Sequence, residues 1–182
     1  LAATLALMIY GGSLVLLFLS SGIYHALIES PRVIEALRKL DHSAIYILIA
    51  GSYTPFCVLA FSGFWRWGFL ALIWTLALIG IVTKLFIIDA PRWVTAGIYV
   101  CMGWLSIFAV REMITALPGA SLGWLLAGGV IYTIGALIYI TKRLDIRPGV
   151  FGFHEVWHVF VLLGAAAHFI AIYNLVLGAP LG

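Results

Sequence analysis

Six stretches of this sequence stay apolar for about the twenty residues that a helix needs to cross a bilayer. They lie near 3–26, 43–61, 67–88, 93–116, 122–141 and 151–177. Each is continuously apolar rather than alternating, and a transmembrane barrel needs alternation. Of the 182 residues, 64% are hydrophobic and 9% are charged. Soluble domains are about half apolar and about a quarter charged, so a water-facing globule could not bury this excess. The expected fold is therefore all-α: a polytopic transmembrane helix bundle of six spans, forming one domain over 1–182 and bathed in lipid.

Nothing ahead of the first span reads as a signal peptide, and the first residue is Leu, as in a processed or partial chain. A net charge of +3 with its cations in connections excludes nucleic acid as a partner. Cys57 and Cys101 lie in apolar runs and read as small packing residues. No feature of the sequence specifies an oligomeric state.

The first connection, 27–42, is the long one. Ser30-Pro31 reads as an N-cap followed by proline at the first helical position. Val33, Ile34, Leu37 and Leu40 then recur at helical spacing, opposite Arg32, Glu35, Arg38 and Lys39. That pattern predicts a short helix, lying in the interface or capping the loop. Cations set orientation. The odd connections hold Arg32, Arg38, Lys39, Lys84, Arg92, Lys142, Arg143 and Arg147, and the even ones hold only Arg66 and Arg111. Odd connections are expected in the cytoplasm and the C-terminus outside. Trp65, Trp67, Trp93, Trp124 and Tyr173 fall near span ends, as interfacial aromatics do.

Ionisable groups inside spans are costly and usually serve function. Here they are His25, Asp41, His42, His154, Glu155, His158 and His168, with Ser21 beside them by position. His154 and His158 are four apart, so they share a helix face one turn apart. They read as a chelating pair, with buried polar packing as the alternative. Ser21 and His25 are also four apart, at the cytoplasmic end of the first span, and Asp41 opens the second. Three distant parts of the chain thus send polar groups to one leaflet, which a shared site explains and chance packing does not.

Three imidazoles, His25, His154 and His158, suit zinc with its fourth tetrahedral position open. Iron or another divalent ion also accepts imidazole. A water in the open position is acidified toward neutral pH. Asp41 is placed to hold and deprotonate it. Ser21 is placed to bond a substrate carbonyl or to support a ligand.

Ser21-x-x-x-His25, the run Leu40-Asp41-His42-Ser43 leading to Ala50-Gly51-Ser52-Tyr53-Thr54-Pro55-Phe56, and His154-Glu155-Val156-Trp157-His158 together resemble the hemolysin III family. This is the bacterial branch of the progestin and adipoQ receptor proteins, which include the adiponectin receptors. The likeness spans nearly the whole chain, and the three motifs are specific in combination rather than singly. It implies seven spans with a cytoplasmic N-terminus and a zinc ion held near the cytoplasmic surface by His25, His154 and His158. Asp41 matches the acidic residue that positions water, and Ser21 matches the motif serine. The resemblance also implies a bacterial inner membrane location, kinship with metal-dependent membrane hydrolases such as alkaline ceramidases, and hence hydrolysis of a lipid amide. The chain departs from the pattern in having six spans: the family's first helix has no counterpart here.

Two other readings compete. His154-Glu155-Val156-Trp157-His158 also satisfies H-E-x-x-H, in which the glutamate is the general base of an intramembrane zinc protease. Alternatively, the protein is a non-enzymatic receptor, homeostasis factor or cytolytic protein in which zinc only ties helices together. Structural zinc usually takes four protein ligands, and three histidines match.

His168 reads as a hydrogen-bonding or cavity-lining residue, too far along its helix to reach the same ion. His42 reads as an interfacial hydrogen-bonding residue turned away from Asp41. Glu29, Glu35, Asp89, Glu112 and Asp145 read as solvated. Gly11-Gly12 and Gly128-Gly129 read as packing glycines, Gly149 and Gly152 as a turn before His154, and Pro55 as a kink in the second span.

Overall fold

The computed structural model describes residues 1–147 and 150–178. Among them lie six helices long and apolar enough to cross a membrane: Ala2–Ala26, Pro31–Leu59, Gly63–Phe86, Arg92–Ala116, Gly119–Thr141 and Phe153–Gly178. The described residues form no strand, only an isolated bridge between Arg147 and Phe151. In five of the six helices no more than a third of the core window is buried. The exposed side chains include Leu5, Met8, Leu78, Val82, Phe108, Leu126, Leu162 and Phe169. Apolar side chains turned outward on this scale need lipid as their solvent. The chain divides into two compact units, Leu1–Asp89 and Ala90–Gly182.

The first unit holds α1 (Ala2–Ala26), α2 (Pro31–Leu59) and α3 (Gly63–Phe86). α2 packs against both others, and it is the most buried span. Small residues allow this: Ala44, Ala50 and Cys57 of α2 and Ala77 of α3 have no exposed surface. A side chain at Gly51 would strike Ser13 of α1, and one at Gly80 would strike the Tyr46 ring. Without a hydrophobic drive between helices in lipid, such close backbone approach carries the packing. Trp74 Nε1 donates to Thr54 Oγ1 at 3.2 Å across the α2–α3 seam.

α2 differs from the expected short helix followed by a span. It runs unbroken from Pro31, with Ser30 in extended conformation at the N-cap position. Nothing between Leu40 and Ser43 stops a helix, and Lys39–Glu35 at 2.6 Å adds an i,i+4 pair. The helix also continues through Pro55, which is buried. Gly63, at φ +53°, supplies the left-handed turn into α3 that an L-side chain resists.

The second unit holds α4 (Arg92–Trp104), α5 (Val110–Ala116), α6 (Gly119–Thr141) and α7 (Phe153–Gly178). The fourth span, expected as one α-helix, tightens into a 3₁₀ segment over Leu105–Ala109. Just before it, Trp104 Nε1 donates to Thr133 Oγ1 of α6 at 2.9 Å and its ring lies over Gly129. α6 and α7 share the largest seam of the unit. Gly135 admits Phe160 and Trp157, Gly164 admits Tyr132, and Gly128 admits His168, so Gly128-Gly129 act in packing as expected. Cys57 is buried, as a packing residue is, but Cys101 of α4 is exposed.

Candidate metal centre

α7 carries the chelating pair, and its first turn is held at two points. Phe153 N donates to Asp145 Oδ1 at 2.8 Å. Gly152 N donates to Glu155 Oε2 at 2.8 Å. Gly152, at the cap position, has no side chain of its own. Asp145 supplies the missing acceptor, while Glu155 reaches back as the glutamate of a capping box does. Asp145, expected to be merely solvated, thus fixes the start of the helix. Gly152 does mark the turn into α7; Gly149 lies outside the described residues.

One turn of α7 then separates His154 and His158. Their Nε2 atoms are 3.1 Å apart, with ring centroids at 4.7 Å and planes at 84°. Two nitrogens at zinc's usual bond length of about 2.0–2.1 Å and tetrahedral angle lie about 3.3–3.4 Å apart. The measured separation needs only a slightly narrower angle, so the pair fits one ion without rearrangement. Tyr139 of α6 braces the pair, its ring 5.9 Å from His154 and 5.6 Å from Trp157.

In the first unit, His25 stands exposed in the last turn of α1, its ring 4.7 Å from that of Tyr24. Ser21 lies one turn earlier on α1. Asp41 is buried on α2, with 8% of its surface exposed. His25, Ser21 and Asp41 belong to the first unit, and His154 and His158 to the second.

Glu155 lies close enough to His154 and His158 for their charges to interact. It is exposed and spends its carboxylate on Gly152 N. His42 donates from Nδ1 to the Arg38 carbonyl at 2.8 Å, the hydrogen-bonding role expected of it. It does not turn fully from Asp41, whose Oδ2 is 3.8 Å from that nitrogen. His168 packs edge-on to Tyr132 at 5.3 Å and against Gly128, so it serves the α6–α7 seam, although its buried Nε2 has no hydrogen-bond partner among the described residues.

Sequence reasoning missed Lys84. Counted by sequence among the cations of a connection, it lies in the last turn of α3 and is 3% exposed. Its charge acts with those of Arg38 and Asp89, and it also acts on His42 beside Asp41. Arg38 itself pairs with Asp89 at 2.7 Å. The signal was available: Lys84 sits inside the third apolar run.

A family model described as haemolysin-III related matches residues 1–169. Hemolysin-3 of Bacillus cereus is 40% identical over 176 residues, covering 97% of this chain and 77% of that protein. A hemolysin-3 homolog of Bacillus subtilis (strain 168) is 40% identical over 164 residues, covering 90% and 74%. An adiponectin receptor protein of Drosophila melanogaster is 28% identical over 175 residues, covering 87% of this chain and 39% of that one. With three polar motifs in order, six apolar helices and a model match over nearly its full length, the chain belongs to the haemolysin III family, within the progestin and adipoQ receptor proteins.

Proposed function

We propose that this protein is a metal-dependent hydrolase of membrane lipids, with His25, His154 and His158 holding a zinc ion near the cytoplasmic surface. The observation that carries the proposal is the 3.1 Å between the Nε2 atoms of His154 and His158. Without an ion the two neutral imidazoles share one N–H···N hydrogen bond at this distance; with both Nε2 atoms deprotonated, the same geometry presents two lone pairs to one ion. Bound there, the ion supplies a Lewis acid that polarises water or a substrate carbonyl.

The chain's own groups do the rest. Asp41 takes a proton from water as the water's oxygen attacks the acyl carbon, and returns it to the leaving nitrogen. The C–N bond breaks, leaving a fatty acid and an amine. Ser21 donates to the acyl oxygen as charge gathers there. A lipid amide is the favoured substrate because the ligands sit on membrane helices, so the scissile bond reaches them from the bilayer.

The intramembrane protease reading, with Glu155 as base, is less supported. Glu155 is engaged by Gly152 N and anchors α7 instead. The test is turnover of ceramides and other acyl amides and esters by purified, zinc-loaded protein. Release of fatty acid that disappears in Asp41→Ala supports the proposal. Absence of turnover across the panel would overturn hydrolysis and leave a receptor or homeostasis factor with structural zinc.

A further inference from the structure

Arg92, the first residue of α4, is exposed. Its guanidinium carbon lies 5.1 Å from the Phe153 ring centroid and 5.6 Å from that of Tyr139. Rings from α7 and α6 thus hold a cation on α4, and all three belong to the second unit. Cation–π attraction to both rings restrains the guanidinium while leaving N–H donors open. Two other helical arginines spend those donors: Arg38 on Asp89 and the Ile88 carbonyl, Arg66 on the Phe61 carbonyl. Among the described residues Arg92 makes no hydrogen bond or ion pair. Asp145 and Glu155, the acidic groups at this end of the unit, are committed to the backbone of α7.

The loop from α6 to α7 independently points to lipid. Leu144, Ile146 and Val150 stand 57%, 69% and 66% exposed, interleaved with exposed Lys142, Arg143 and Arg147. Trp93, beside Arg92, is 66% exposed. Apolar and aromatic side chains among cations are the chemistry of the zone where acyl chains meet anionic headgroups. A soluble anion would have no use for the apolar members.

We propose that Arg92, held against the adjoining Tyr139 and Phe153 rings, binds the phosphate of an anionic membrane lipid at this end of the second unit. The guanidinium edge donates two parallel bonds to the phosphate oxygens, and the loop cations draw the lipid in. Tyr139 also touches His154, so the bound headgroup lies beside the candidate metal centre. The proposal does not rest on hydrolysis, because a retained lipid is detected with or without turnover.

The test is native mass spectrometry of the full chain titrated with phosphatidylglycerol, phosphatidylcholine or inorganic phosphate. Wild type should retain phosphatidylglycerol in preference to phosphatidylcholine. Arg92→Gln should weaken that retention about tenfold. Arg92→Lys should be intermediate, and Phe153→Leu should weaken retention while every charge remains. Arg143→Gln, which removes an exposed loop cation held by no ring, should change it far less. Equal retention of both lipids, an equal loss in Arg143→Gln and Arg92→Gln, or displacement of the lipid by inorganic phosphate alone would each overturn the proposal.

Discussion

Replacing Glu155 separates two chemistries that share one sequence pattern. Its carboxylate accepts the Gly152 N–H at 2.8 Å and is exposed. Removing a capping acceptor costs about 1 kcal/mol, and a negative charge in the first helical turn adds about 0.3–1 kcal/mol at low salt. Glu155→Ala should therefore destabilise the protein by about 1–2 kcal/mol. Glu155→Gln keeps the oxygen and loses the charge, so it should cost only about 0.3–1 kcal/mol, less in high salt. Neither change removes a metal ligand, so both variants should bind zinc and turn over lipid amide close to the wild-type rate. Unfolding followed by tryptophan fluorescence in detergent, at low and high salt, measures the first effect. Metal content and fatty acid release measure the second. If Glu155→Gln retains stability but loses turnover by orders of magnitude, Glu155 is a base and the capping account fails.

Two further outcomes follow from the same geometry. Gly135→Ala would set its new carbon 2.6 Å from Phe160 Cβ, an atom that no side-chain rotation can move. It should destabilise the protein by about 1–3 kcal/mol; an unfolding curve matching wild type would show that α6 and α7 do not pack this closely. Asp41→Ala should keep its zinc and lose turnover, whereas loss of zinc would make Asp41 a ligand and favour a structural ion.

The six spans were legible because lipid imposes one demand, continuous apolar length, and each run meets it. The two units and the internal details were not, for specific reasons. The charged stretch 31–42 looked like a separate element, but no breaker stands between it and the second span, so α2 absorbs it. The 3₁₀ turn at Leu105–Ala109 follows Trp104, which bonds Thr133 across the seam, and tertiary partners of that kind leave no periodic trace. Spacing alone placed His154 and His158 on one face, and the structure makes their nitrogens converge. Spacing could not assign Glu155, because the third helical position of a capping box and the glutamate of H-E-x-x-H are the same place in a sequence. Lys84 went astray because a lone cation near a span end reads as a loop residue. Only its burial, at 3% exposure, shows otherwise.

The central claim is that histidines from distant parts of the chain share one ion. It is tested most directly by metal content and X-ray absorption of the purified protein beside its His25→Ala and His158→Ala variants. The account predicts one equivalent of zinc in wild type, a first shell containing three imidazole nitrogens at about 2.0–2.1 Å, and loss of the metal in each variant. Zinc retained at full occupancy in His25→Ala, or a shell with only two imidazoles, would contradict it.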